Sequence, residues 1–341
     1  MRILTITLCL SALACNAKPS PTQPATADQR KQAPDKQVLT VYSGRSALLV
    51  EPLLKRFADQ RGIELKLRFD KSTEKLANRL ALEGASSPAD LFFAQAVGYL
   101  TLLGQKGLMK PLSPSLLEQV AADHRSPSGH WVGTSSRLRV MVYSPERIQA
   151  PPKTLDELTD PRFKGRVGWA PGNASLHAHV AALRSHWGEE KTKAWLTAMK
   201  ANEPVVYPKN SPQVRAVSSG EIDIGWVNHY YVHKLKAQDS TLKAANASFS
   251  PDDPGHLVML AGIGVPKASK NQALAEELIA FILSDEGQTY FTQTAYEYPA
   301  RAGVKLHPDV SALSPSTLKI PQSAQTDIAG SLSLLRSLRI Q

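Results

Sequence analysis

The feature that most constrains this chain is an alternation that begins near Val38, where short apolar runs take turns with longer amphipathic ones. "VLTVYSG" reads as a strand running into a glycine loop, "SALLVEPLLKRFADQRG" as a helix started near Ser46 and stopped at Gly62, and "IELKLRF" as the next strand. The segments "STEKLANRLALEG", "PADLFFA" and "AVGYLTLLGQKG" continue as helix, strand and helix. Beyond them come the strands "RLRVMVY" and "GRVGWA", helices near 175 to 187, 189 to 201 and 211 to 219, the strands "EIDIGWV" and "HLVMLAGIGV", and one helix over "NQALAEELIAFILSDEGQTYFTQ". Such alternation predicts α/β lobes with largely parallel sheets. At 341 residues the chain exceeds the size at which one core usually keeps growing, so two lobes are expected. Open α/β sheets bind ligands at loops off the carboxyl ends of their strands. This singles out Ser43 to Ser46, Ala94 to Ala96, Pro171 to Ser175 and Asn228 to Tyr231.

The first residues, "MRILTITLCLSALAC", join one positive charge, Arg2, to an apolar run of about ten residues ending at a cysteine, the layout of a secretory signal. The run is too short to span a bilayer. Ala12-Leu13-Ala14-Cys15 resembles a bacterial lipobox, in which residues 1–14 are removed and Cys15 becomes a lipid-modified first residue. Ala12 stands where leucine is typical, and an ordinary signal cut nearby is the alternative. Cys9 lies within the signal, so cleavage before Cys15 leaves one cysteine, with no intramolecular disulfide and no thiolate metal site. Residues 15–37, with four prolines and no aromatic residue, read as a tether that cannot bury enough apolar surface to fold.

The formal charge of +10 falls by one when Arg2 leaves. Lysines and arginines are scattered, with neither a dense basic run nor an aromatic-basic RNA motif, which argues against nucleic acid. The charge instead favours anionic or anion-carrying ligands. Enzymatic motifs are missing: there is no Gly-x-Ser-x-Gly elbow, Walker loop, Gly-x-Gly-x-x-Gly or His-Glu-x-x-His. His177 and His179 point away from each other on a helix, whereas His229 and His233, four apart, could share a face; the plainer reading is solvated helix residues.

"GEIDIGWVNHYYVHKLK" carries two adjacent tyrosines, Tyr230 and Tyr231. Phenolate is a hard anionic oxygen donor suited to Fe3+, which deprotonates phenol far below its usual pKa of about 10. If the strand ends at Val227 or Asn228 and a helix starts beside it, both hydroxyls can converge. Packing and carbohydrate stacking remain alternatives for such a pair.

The blocks "VYSGRS", "GASSPADLFF", "RLRVMVYSPERI", "TLDELTDPRFKGRVGW", "GEIDIGWVNHYYVHK" and "AYEYP" occur in an order that resembles the periplasmic ferric-ion-binding proteins of ABC transporters, from about Val38 to the C-terminus. The resemblance implies an α/β, type II periplasmic binding protein whose two lobes, joined by crossing hinge strands, close over a cleft. Lobe 1 would be 38–134 with 258–315, and lobe 2 would be 135–257 with 316–341. It also implies a non-enzymatic, exported, monomeric receptor, and the lipobox-like Ala12 to Cys15 adds the expectation that it touches the membrane only through a lipid on Cys15. Such a receptor takes Fe3+, free or as a small ferric chelate, to an ABC permease.

By similarity Tyr230 and Tyr231 are phenolate ligands, and Tyr143 of "RLRVMVY" is a third. Other members carry a histidine, or His-Tyr, where this chain has Ser46 and Ala47, and a glutamate where it has Gln95. The implied protein set is therefore three tyrosines plus a synergistic anion, carbonate or bicarbonate. Three phenolates already neutralise Fe3+, so the anion needs cations. Arg45 and Arg137 are the candidates, since a guanidinium grips a planar oxyanion in bidentate fashion. Ser46, Gln95, Asn173, Ser175, Asn210 and Asn228 complete the expected anion-binding surroundings. The rivals are the same fold binding an oxyanion or small organic acid, a hydrolase using His229 and His233, and an adhesion lipoprotein.

Overall fold

The computed structural model describes residues 36–70, 72–314 and 318–340. The expected signal, Cys15 and nearly all of the tether lie outside the described residues. In chain order the strands and α-helices are β1 (Val38–Ser43), α1 (Ala47–Arg61), β2 (Glu64–Phe69), α2 (Thr73–Glu83), β3 (Leu91–Ala94), α3 (Val97–Gln105), α4 (Pro114–Leu117), β4 (Val132–Tyr143), β5 (Val167–Trp169), α5 (Ala174–Trp187) and α6 (Glu189–Ala201). They continue with β6 (Val205–Val206), α7 (Asn210–Ser219), β7 (Ile224–Asn228), α8 (Tyr230–Gln238), β8 (Ala245–Ala247), β9 (Val258–Gly264), α9 (Gln272–Leu283), α10 (Asp285–Gln293), β10 (Tyr298–Pro299) and α11 (Ile328–Ser337).

Local signals set many of these bounds. Helix α1 begins after Ser46 and stops at Gly62, whose left-handed φ of 66° releases the chain into β2. Helix α2 begins where the Ser72 hydroxyl accepts from the Lys75 N–H. The long helix expected over 271–293 is instead two helices. Ser284 leaves the helical region and its side chain accepts from the Gly287 N–H, starting α10 afresh.

The strand order is β2-β1-β3-β9-β4-β7-β5-β6, with β8 and β10 also paired to β4. The outer pairs β1–β2, β1–β3, β5–β6 and β5–β7 are parallel, as the alternation predicts. The centre is not: β9 runs antiparallel to β3 and β4, and β4 antiparallel to β7. Strand β4 carries the change of partner. Its residues 132–138 pair with β9, and 139–143 pair with β7 and β8. The lobe boundary expected between 134 and 135 thus falls inside one continuous strand.

The core divides around this strand. One cluster packs α1 and α9 on the β1 side, including Leu53, Phe57, Phe93, Leu278 and Phe291. Another packs Trp169, Leu176, Trp195 and Trp226 on the β7 side. No helix among the described residues is long and apolar enough to cross a membrane.

Candidate ligand cleft

Strand β7 is buried along its whole length and ends at Asn228. His229 already has helical dihedrals (φ −53°, ψ −40°), so Tyr230 and Tyr231 occupy the first turn of α8. Successive side chains on a strand point to opposite faces, but on a helix they are only about 100° apart. Ending the strand before the pair therefore lets both phenols face one cleft. Their ring centroids lie 4.4 Å apart at 37°. Tyr230 is 1% exposed, and its hydroxyl accepts from Asn228 Nδ2 at 3.3 Å. Burial pushes the Tyr230 phenol well above its ordinary range, Tyr231 and Glu297 push the same way, and Arg45 and Arg137 oppose them.

The cavity at the phenols has a volume of about 90 Å3, and its wall includes Arg45, Ser46, Gln95, Asn173, Tyr230 and Tyr231. Organic-ligand pockets usually run to roughly 300–1,000 Å3. This one suits an ion with a small companion. Gly44, from the loop expected after β1, lines it too, and so do Leu49, Asp70, Lys209 and Ser211, none of which was singled out from the sequence. Asp70 was findable, because it follows β2 at the carboxyl edge where such sheets bind ligands.

Three guanidiniums lie buried around this cavity. Arg45 donates through Nη2 to both oxygens of Glu297, at 2.9 and 2.7 Å, while its Nε and Nη1 have no partner. Arg137 and Arg139, two residues apart, share a face of β4. Arg137 donates to Ser175 Oγ and Met259 O, and Arg139 to Asn228 Oδ1 and Trp226 O. Burial pushes Arg137 down to about 10 and Arg139 to about 9, so both are cations at neutral pH. Among the described residues only Arg45 of the three is hydrogen-bonded to a carboxylate, Glu297, so the region carries an excess of positive charge that favours anions.

Donors also converge on the start of α5. Asn173 Oδ1 caps the helix, accepting from the Ser175 N–H at 2.9 Å, and accepts from Gln95 Nε2 as well. Ser175 Oγ lies within reach of Gln95 Nε2 (3.1 Å), Asn228 Nδ2 (3.2 Å) and Arg137 Nη2 (3.4 Å). These contacts draw residues after β3, at the start of α5 and at the end of β7 to one point. Asn210 is buried at the start of α7 with its Nδ2 unpartnered.

The model of the family described as bacterial extracellular solute-binding protein matches residues 86–325. The chain belongs to the bacterial extracellular solute-binding proteins. It is 34% identical over 282 residues to the Fe(3+)-binding periplasmic protein of Serratia marcescens, covering 81% of this chain and 83% of that relative. It is 31% identical to the major ferric iron-binding protein of Neisseria meningitidis, covering 85% and 88% of the two chains. Its fold is similar to that of iron-bound HitA from Pseudomonas aeruginosa, with a TM-score of 0.84, 33% identity and coverage of 89% and 99%. The α/β architecture is accordingly that of a type II periplasmic binding protein. The names of the first two relatives describe binding of ferric iron.

In this solute-binding protein Tyr143 does not join the other two tyrosines, contrary to the expectation of a third phenolate. Because β4 is antiparallel to β7, Arg139 stands opposite Asn228, whereas Tyr143 stands opposite Ile224, at the other end of β7. Four residue rises, about 13 Å, separate those levels. Tyr143 also pairs with Ala245 of β8, and it is absent from the lining of the cavity.

The histidines differ from the sequence reading as well. His177 is buried: Nε2 donates to Pro171 O at 2.7 Å, so Nδ1 accepts from the Tyr99 hydroxyl at 2.6 Å. His179 is buried against Trp226 and donates to Pro254 O. His229 is buried, with Nδ1 accepting the Leu138 N–H. Among the described residues no group of three or more His, Cys, Asp or Glu could hold a metal ion. The hydrolase built on His229 and His233 therefore lacks its further ligands.

Proposed function

We propose that this protein captures ferric iron in the cleft, with Tyr230 and Tyr231 as phenolate ligands, and hands it to an ABC permease without catalysing a reaction. The observation that carries this reading is the pair of phenols in the first turn of α8, side by side at a cavity of about 90 Å3 with three buried guanidiniums nearby. Phenol is a poor ligand until it loses its proton. The cationic surroundings favour phenolate, and Fe3+ supplies the rest of the driving force.

A synergistic anion, carbonate or bicarbonate, would sit at the start of α5. There Gln95, Arg137 and Asn228 supply donors gathered on Ser175 Oγ, Asn173 lines the cavity, and Arg45 offers its free Nε and Nη1. Ser46 lines the cavity beside Arg45, and Asn210 has an unused amide N–H. The extracellular family and the relative named as periplasmic support an exported protein working in the periplasm, here read as a monomer, and the lipobox-like Ala12 to Cys15 supports a lipid anchor.

Ferric citrate added to the iron-free protein should produce a visible phenolate-to-iron charge-transfer band. Its absence, or its survival in a Tyr230→Phe/Tyr231→Phe variant, would overturn the reading. The second reading, an oxyanion bound without metal, draws on the same excess of guanidiniums. The charge-transfer band separates the two, because an oxyanion bound without metal produces none.

A further inference from the structure

Removing Tyr143 leaves two phenolates against a trivalent ion, so one negative charge is missing from the protein's side of the site. Of the side chains that line the cavity, Arg45 and Lys209 are cationic, Ser46, Gln95, Asn173 and Ser211 are neutral, and Leu49 is apolar. Asp70 is the single carboxylate there.

Its position is fixed from both sides. The Asp70 N–H donates to Ser43 O at 3.2 Å, tying it to the end of β1, and Oδ1 accepts the Ser72 N–H at 2.9 Å. Oδ2 takes no hydrogen bond among the described residues, and Lys209 does not pair with the carboxylate. Asp70 follows β2, whereas the tyrosines follow β7 on the other side of β4, so the carboxylate and the phenols approach the cavity from opposite walls.

We propose that Asp70 is the third anionic oxygen ligand of the ferric ion, binding through Oδ2 opposite Tyr230 and Tyr231. The proposal rests on the ferric reading of the same cleft. A carboxylate is a hard donor like phenolate, and two phenolates with one carboxylate neutralise Fe3+ as three phenolates would. The metal would then tie the β2 side of the cleft to the β7 side, and iron binding would itself hold the walls together. The plain structural role, acceptor for the Ser72 N–H at the start of α2, uses only Oδ1.

Asp70→Asn separates these roles, because the amide oxygen keeps the Ser72 contact while the charge is lost. The purified wild type and variant are loaded with ferric iron, their visible spectra recorded, and the iron competed away with citrate. We expect the variant to melt like the wild type and keep a charge-transfer band from its tyrosines. The band should move to longer wavelength, since iron with one fewer anionic donor accepts phenolate charge more readily. Citrate competition should show binding weaker by at least about tenfold, the lower end of losses seen around metal sites. An unmoved band overturns the proposal, whether affinity is unchanged or merely reduced by the loss of a distant charge. No band in the wild type would instead overturn the ferric reading, and that outcome is told apart by the wild-type spectrum alone.

Discussion

Arg45 and Glu297, 252 residues apart in the chain, form an ion pair that is 1% and 0% exposed, with Ser135 Oγ donating to the same carboxylate at 2.6 Å. The pair joins the loop after β1 to the turn before β10, and Arg45 lines the same cavity as the two phenols. It fixes Arg45 so that two of its nitrogens remain free near the cleft.

Glu297→Gln would leave Arg45 buried beside Arg137 and Arg139 with no compensating charge. Breaking one side of a buried pair typically costs about 3–5 kcal/mol. A fall of that size in the free energy of urea unfolding is expected. Pairing the change with Arg45→Met should restore much of it, since well-packed apolar replacements of a buried pair are often close to neutral.

Iron affinity should rise with pH. Burial holds the Tyr230 proton well above the ordinary phenol range, so the phenol is protonated at neutral pH before metal arrives. Ligation must displace that proton, and each proton released adds about one decade of apparent affinity per pH unit. Citrate competition between pH 6 and 8 measures the slope, and acidification should release iron.

Tyr143→Phe should leave the charge-transfer band and citrate competition unchanged. Tyr143 is the last residue of β4, paired with Ile224, and is absent from the lining of the cavity. A lost or shifted band would mean that Tyr143 reaches the metal.

Three buried histidines should make the fold acid-sensitive. Burial, the largest cause in each case, pushes His177 down to about 4, His179 to about 3 and His229 to about 4. In the unfolded chain each titrates near 6.5, so between about 4 and 6.5 the unfolded state binds more protons. Stability is full above that window and lost as pH falls through it. Replacing His177 with Gln should cost stability at pH 7 yet reduce the dependence on pH below 6.5 by up to about 1.4 kcal/mol per pH unit, read from urea midpoints.

Much of the architecture was legible because its signals are local. Helix α1 obeys Ser46 and Gly62, α6 spans the expected 189 to 201, and β7 ends at Asn228 as the apolar run does. The meeting of the two phenols was legible for the same reason: a strand-to-helix turn is written in consecutive residues. The break at Ser284 was local too, but a hydrophobic stripe continuing on both sides of it masked the cap.

What the amino-acid order determined by itself, then, was the succession of strands and helices, the turn that presents Tyr230 and Tyr231, and the likeness to iron-binding relatives. The tertiary structure alone decided which distant residues join them. Strand direction comes from non-local pairing: β4 lies antiparallel to β7, which carries Tyr143 away and leaves Arg137 and Arg139 near the cleft. Burial is likewise a property of packed elements, so His177, His179 and His229 read as solvated from their spacing and lie inside the fold. Glu297 and Asp70 reach the cleft region from opposite parts of the chain, because hydrogen bonding and charge balance act across space with no regard for distance along the sequence.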